Sequence, residues 1–415
     1  MKVGMVCAAV ASAAFFFGTA FAQSEEGPPP LPVFPLVGLW GPPATEDDFA
    51  MYRDAHFNIV PVTWGSGFDE AARLARRLRM PVMASNPTLA GGTPEAWAAT
   101  FAQHDHIVGL HLADRLRIEE LPRTVELIKE YRKLDAKRFI LITLPPRDQQ
   151  PRWGEMIAQL TQAGIPLLCY SRPAFFEDGA TDENGYLQDL ELTRRIAAQV
   201  KLPFWGIVYA TKHERYRRAA ESDLRFQAYA NLAAGARGLC YFTYWGPGPK
   251  DVDAGGVFAS WGMPMVDPAT REPQYGYEKA AELNREILTL APILLGLTSA
   301  GVYYAGQMPE GGKPIDAAAS PLVSVTAEKA MIGLFSGKRG ESWALIVNRR
   351  YGKQRSAFTQ SSVIQATVAP SVRRVVEIDR VSACETDVPL SGGQFLVTIP
   401  GGTGGLFRFD GESLH

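Results

Sequence analysis

Two short stretches place acidic and basic side chains where acid–base chemistry would need them. IVGLHLADRLRIEELP, from Ile107 to Pro122, closes an apolar run with Asp114 and Arg115, and VYATKHERY carries His213 and Glu214 just past another. Two carboxyl groups work as a pair when one protonates a leaving oxygen while the other attacks or activates water. Arg115 cannot serve as the acid, because a guanidinium keeps its proton far above any working pH. Asp114 and Glu214 are therefore the catalytic candidates. Glu177, Asp178, Asp251 and Asp253 are further loop acids that could partner Asp114, but Glu214 follows a strand-like run and has His213 beside it. Taken singly, each of these loop acids reads as an ordinary solvated charge.

Such side chains need a frame. Apolar runs begin at Pro35, Asn58, Pro81, Val108, Arg138, Pro166, Pro203 and Gly238, and between them lie segments such as DEAARLARRLR and YLQDLELTRRIAAQV with helical spacing of apolar residues. Eight strands, each followed by a helix, predict a closed (β/α)8 TIM barrel over 35–297. An open doubly wound sheet is the competing architecture, but it would carry a Gly-rich phosphate turn after its first strand, where this chain has GPPATEDD. From Thr298 the pattern changes to period two, in GVYYAG, AMIGLFSG, SWALIVNRR, VRRVVEIDR and QFLVTIPGGTGGLFRF, which predicts an all-β, sandwich-like domain over 298–415.

In a barrel of this kind the site is built from the C-terminal strand ends. That rule selects Trp40, Trp64, Asn86, Asp114 with Arg115, Arg147, Tyr170 with Arg172, Tyr209 with Lys212, His213 and Glu214, and Tyr244 with Trp245. Trp40, Trp64, Tyr170 and Trp245 around one mouth would suit a sugar, whose faces stack on aromatic rings while its hydroxyls take polar contacts. Any one of these rings alone reads as core packing. His111, Arg115, Arg172, Tyr209 and His213 complete the candidate binding set. Arg115, Arg147, Arg172, Lys212, His213 and Arg215 all fall at or beyond strand ends, so a carboxylate or sulfate on the saccharide is an expectation, against solvated loop charges as the plain alternative. Strand parity leaves two readings open. If Arg115 points inward, so do Ala113, His111 and Gly109; with the opposite parity Asp114, Leu112 and Leu110 fill the barrel. His104 and His106 precede the fourth strand, on the stabilising face, and read as structural.

The chain resembles secreted bacterial glycoside hydrolase-like proteins of the clan-A barrel superfamily. The resemblance rests on GLWGPPATEDDFAMYRDAHFNIV, on the Ile107–Pro122 segment, on NLAAGARGLCYFTYWGPG and on LSGGQFLVTIPGGTGGLFRF. It implies an acid/base Glu after an Asn or Asp at the end of strand four and a nucleophilic Glu at the end of strand seven. The motif is degenerate here: Arg115 stands at the acid position, and Glu214 lies out in the loop. Strand six reads Tyr170, Ser171, Arg172 and Pro173, again without the acid that relatives tend to carry. Two readings follow. One is a glycoside hydrolase using Asp114 and a loop carboxylate, which must stand about 5 Å apart for retention or roughly 6.5–9.5 Å for inversion. The other is a catalytically silent glycan-binding relative that keeps the groove.

MKVGMVCAAVASAAFFFGTAFAQ reads as a signal peptide ending at Ala22, and 23–34 as a Pro-rich tether, so an exported protein in the periplasm or outside the cell is expected. The three cysteines beyond it, Cys169, Cys240 and Cys384, have no metal-type spacing, and the first two sit in apolar strands as small core residues. A net charge of −2 gives no sign of a nucleic-acid partner, and no later stretch is long and apolar enough for a membrane span. With neither a metal cluster nor a nucleotide loop in the sequence, no cofactor is expected; a carbohydrate is the expected ligand.

Overall fold

The computed structural model describes residues 34–411 apart from 87, 89, 90 and 255. The expected signal peptide at 1–22 and the tether as far as residue 33 lie outside the described residues. Phe34, the last residue assigned to the tether, is already fully buried.

Strands and helices alternate as β1 (Leu36–Gly38), α1 (Glu46–Asp54), β2 (Val60–Thr63), α2 (Phe68–Arg77), β3 (Val82–Ser85), α3 (Pro94–Ala102), β4 (Ile107–Ala113), α4 (Leu121–Leu134), β5 (Phe139–Leu144), α5 (Trp153–Ala163), β6 (Leu168–Tyr170), α6 (Glu183–Val200), β7 (Phe204–Tyr209), α7 (Glu221–Ala233) and β8 (Leu239–Phe242). A short α8 (Pro249–Asp253) and a long α9 (Tyr275–Leu294) close the series. All eight strands are parallel, in the order β1-β8-β7-β6-β5-β4-β3-β2. Asn58 carries the join between β1 and β2: its backbone N–H donates to Leu36 O (3.0 Å), and its side-chain oxygen accepts from Leu36 N–H (2.8 Å). The result is the expected TIM barrel.

Residues alternate between two apolar layers, as the pleat requires. Val37, Ile59, Val108, Leu141, Cys169, Ile207 and Cys240 fill the barrel, while Leu36, Val60, Ile140, Leu168, Val208 and Leu239 face the helices. Cys169 and Cys240 are thus interior packing residues. His104 and His106 both bond to α2, through the Asp69 carboxylate (3.1 Å) and Ala72 O (2.7 Å), as structural histidines do.

The parity of β4 changes within the strand. His111 aligns with Leu141, but Ala113 aligns with Ile142, so Leu112 is an extra residue and forms a bulge. Leu110 and Leu112 face the helices, and His111 points inward. Above the bulge Asp114 is turned toward the interior, close enough to Cys169, Tyr209 and His213 to act on their ionisation. Each of the two parity readings therefore holds on one side of the bulge, whose effect is to re-aim a side chain at a strand end.

Beyond α9 come β9 (Thr298–Gly306), β10 (Leu322–Thr326), β11 (Lys329–Ser336), β12 (Ser342–Asn348), β13 (Ser362–Val368), β14 (Val372–Ile378), β15 (Glu385–Val388), β16 (Gln394–Ile399) and β17 (Gly404–Gly411). They form a three-stranded sheet (β10-β13-β16) over a six-stranded one (β15-β14-β17-β12-β11-β9), with Ile332, Ile346, Ile364, Phe395 and Phe407 between them. The period-two pattern revealed five segments; β10, β13 and β15 are additional, and the last segment is two strands.

The larger sheet packs on α7, which explains why every residue of that helix from Ser222 to Ala233 is buried. Gly333 permits the approach, since a Cβ there would stand 2.1 Å from Ala233 O. Arg225 of α7 meets Glu286 of α9 through two hydrogen bonds (2.8 and 2.9 Å), and Tyr229 adds a third (2.8 Å). Arg349 of the β domain, 1% exposed, donates to Glu183 at the start of α6 (2.6 Å). No helix among the described residues is long and apolar enough to cross a membrane.

Candidate active site

The site begins with a clamp between β4 and β5. The Thr143 hydroxyl donates to Asp114 Oδ1 (2.5 Å) and accepts the Arg115 backbone N–H (2.5 Å). This holds Arg115 in the left-handed region (φ 46°), a conformation that costs a non-glycine residue on the order of 1–3 kcal/mol. The Arg115 guanidinium extends across the mouth, with Nη2 donating to Gln149 (3.0 Å) and Nη1 lying 3.6 Å from Glu214 Oε1. Arg115 is thus the link between the two candidate carboxylates. With Glu214 half-exposed, the pair contributes about 1 kcal/mol at most.

Glu214 is also left-handed (φ 48°), and its N–H donates to Ser260 Oγ (2.7 Å). Its loop is fastened to the long β8 loop by reciprocal bonds between Lys212 and Gly262 (3.1 and 3.0 Å). That tie brings Trp261 within 6.2 Å of His213 and 4.9 Å of Phe242, ring to ring. Trp40, left-handed at φ 58° and 40% exposed, lies 5.0 Å from Trp261 and 5.5 Å from Phe258. Tyr209 stacks on His213 (5.3 Å, 18°). An aromatic wall therefore runs from Trp40 through Trp261 to Phe242, His213 and Tyr209, beside the Asp114–Arg115–Glu214 line.

Two imidazoles sit inside this assembly. His213 shares Nδ1 with Thr211 O (2.9 Å), and its buried Nε2 has no hydrogen-bond partner among the described residues. Nε2 of His111 is likewise buried without a partner. Burial lowers both pKa values from the ordinary imidazole range, with Asp114 pulling the other way in each case. Both rings are neutral at pH 7. The Tyr209 hydroxyl, pushed up by burial, shares a hydrogen bond with Ser171 Oγ (2.7 Å), while Gln227 of α7 fixes its backbone on both sides (2.8 and 3.0 Å).

Several residues selected from the sequence lie elsewhere. Trp64 packs on Phe68 of α2 (4.9 Å) and Phe101 of α3 (5.9 Å). Tyr170 is 2% exposed and donates its hydroxyl to Tyr186 O in α6 (2.6 Å), so neither ring lines the mouth. Both side chains lie on the helix-facing side of the pleat. Trp245 packs against the same layer and borders a flank groove of about 650 Å3 with Pro42, Phe49 and Leu74. Arg172 is buried among Asp148 (3.0 Å), Asp182 and Asp189 (2.7 Å), which leaves no fork for a ligand. Arg147 also faces Asp189 (3.3 Å), and Lys212 faces Glu177 (2.8 Å). Arg215 lies over the rings of Phe176 (5.1 Å) and Tyr216 (5.6 Å). Most of the expected cationic rim thus carries its own anions.

The strand-end rule missed Thr143, Gln149, Ser260, Trp261 and Phe258. Thr143 is the polar residue near the end of an otherwise apolar strand, a usable signal. Phe258 and Trp261 belong to a loop where no periodicity marks them, although two large aromatic residues in a Gly-rich stretch were visible. Among the described residues no cluster of three or more His, Cys, Asp or Glu side chains could hold a metal ion.

No protein-family model matches the sequence, and no curated protein matches it. Solved structures do match the fold. A glycoside hydrolase family 5 structure from Bacteroides vulgatus superposes with a TM-score of 0.53 at 11% identity, over 92% of this chain and 89% of that one. A structure described as a glycoside hydrolase gives 0.52 at 12%, over 92% and 93%. A β-galactosidase from Bacillus circulans sp. alkalophilus gives 0.57 at 8%, over 91% and 99%. At such identities the likeness is one of fold, a (β/α)8 barrel followed by a β domain.

Proposed function

We propose that the protein is glycoside hydrolase-like and binds an oligo- or polysaccharide at the barrel mouth. The observation that carries this reading is the exposed Trp40 and its aromatic wall beside two carboxylates, Asp114 and Glu214, on a single mouth. The left-handed backbone at Trp40, Arg115 and Glu214 supports it, because strain of this kind persists where neighbours hold a working geometry. The solved structures of similar fold are named as glycoside hydrolases and a β-galactosidase, which favours the same ligand class. In hydrolysis Asp114, oriented by Thr143, and Glu214 would divide the acid and base or nucleophile roles. We further infer export, from the apolar leader read in the sequence; N-terminal sequencing of protein recovered outside the cytoplasm tests that step.

A second reading has its own observation. The Arg115–Glu214 pair occupies one of the two carboxylates, and this favours a relative that binds glycan without cleaving it. The decisive experiment incubates the protein with a panel of neutral and acidic oligosaccharides and follows products by chromatography and melting temperature. Product that disappears in Asp114→Asn supports hydrolysis. Ligand-raised melting temperature without product supports the silent binder, and neither response overturns the glycan assignment.

A further inference from the structure

Beside the mouth lies a groove of about 410 Å3, within the range of roughly 300–1,000 Å3 common for small-ligand sites. Its walls come from the β6 and β7 loops, the return of the β8 loop and a loop of the β domain, and they include Glu177, Lys212, Arg217, Arg218, Tyr275 and Lys353. Two of the four cations are already matched: Arg217 by the buried Asp223, and Lys212 by Glu177 at 2.8 Å. Arg218 holds its guanidinium 5.0 Å over the ring of Tyr275, and Lys353 donates to the backbone carbonyl of Glu177 (2.9 Å). Among the described residues neither has a carboxylate within 4.0 Å. A carbonyl orients an ammonium but does not cancel its charge. The groove therefore presents two uncompensated positive charges and a ring 40% exposed, on a chain whose net charge is −2.

We propose that this groove is a subsite for the acidic substituent of a saccharide, a uronate carboxylate or a sulfate ester, held by Arg218 and Lys353. A guanidinium offers two parallel donors to either oxyanion, and the lysine adds a point charge. The inference rests on the reading of the mouth as a glycan site, since Lys212 joins the two regions. Its backbone pairs with Gly262, next to Trp261 of the aromatic wall, and its side chain lines the groove.

Isothermal titration of the full chain with tetragalacturonate, a sulfated galactan tetrasaccharide and neutral galactotetraose tests it. The expected result is binding about tenfold tighter for an acidic probe than for the neutral one, as a charge-assisted contact provides. The preference should shrink with added salt, vanish in R218A/K353A and partly survive in Arg218→Lys. Tightening by the uronate only, or by the sulfate only, supports the subsite and names the source of the anion. Equal affinity for all three probes, or a preference that survives the double variant, overturns it. If the neutral probe binds and loses affinity in Trp40→Ala while the acidic probes bind no tighter, the subsite falls and the mouth reading stands. If only acidic probes bind, and do so through Arg218 and Lys353, the subsite stands and the mouth reading falls. Absence of binding by every probe removes both.

Discussion

The barrel joins separate elements through an arginine and a glutamate in two places, under the seam with the β domain and at its mouth, but it does so differently. At the seam, Arg225 and Glu286 are buried, share two hydrogen bonds of 2.8 and 2.9 Å and are reinforced by Tyr229. At the mouth, Arg115 and Glu214 meet through a single contact of 3.6 Å, both partly exposed and both on left-handed backbone. Two desolvated charges hold each other because neither can return to water without unpacking the interface. Two hydrated ones part at little cost. The first geometry locks α7 to α9 within the barrel domain, where Arg380 of the β domain reaches Glu286 at 3.4 Å, and the second leaves Glu214 available to a ligand.

Predictions that probe this contrast run from the seam outward. Glu286→Ala leaves the buried Arg225 with Glu221 alone (3.3 Å) and takes a partner from Tyr229 and from Arg380 (3.4 Å), and it should cost about 3–5 kcal/mol in denaturant unfolding; a loss under about 1 kcal/mol would erase the distinction. If the mouth hydrolyses, Asp114→Asn should lower kcat by roughly 10²–10⁴-fold with little change in melting temperature. Burial lowers the pKa of His111, His213 and, at the opposite end of the barrel, His106. The unfolded chain then binds protons that the folded chain refuses. Stability is complete above pH about 6.5 and falls as the pH drops, by up to about 1.4 kcal/mol per pH unit for each ring. Melting curves between about pH 8 and 5 should show this slope, and His213→Gln should remove one share of it. Trp40→Ala should weaken oligosaccharide binding about tenfold, measured by titration, and leave stability nearly intact because the ring is 40% exposed. Arg115→Ala should change unfolding free energy by less than about 1 kcal/mol, the smallest effect of the set.

The barrel was legible in the sequence because helical and strand periods alternate cleanly from Pro35 to Gly238. The β domain was legible as a class but not strand by strand: β10 and β15 are short, and along β13 and β16 polar residues share the exposed face with isolated apolar ones such as Val363 and Leu396. Strand-end position told how high a residue sits in the barrel but not which way it points. Tyr170 and Tyr209 both end strands, yet one faces the helices and the other the interior. The bulge at Leu112 leaves no trace in periodicity, so the direction of Asp114 could not be read. Arg172 reads from the sequence as a ligand-binding residue because its three acidic partners come from two distant segments, Asp148 after β5 and Asp182 with Asp189 at the start of α6, which only the fold assembles.

The pairing of β1 with β8 also bears on how the chain reaches its native state. Leu36 must find Leu239, about two hundred residues further along, and such non-local pairing makes folding slow. Until β8 has been synthesised, β1 has one unpaired edge, the kind of surface on which other chains aggregate. The Asn58 side chain offers β1 a nearby partner through Leu36 and Phe34, so the first strand can be held by its successor while it waits for its last neighbour.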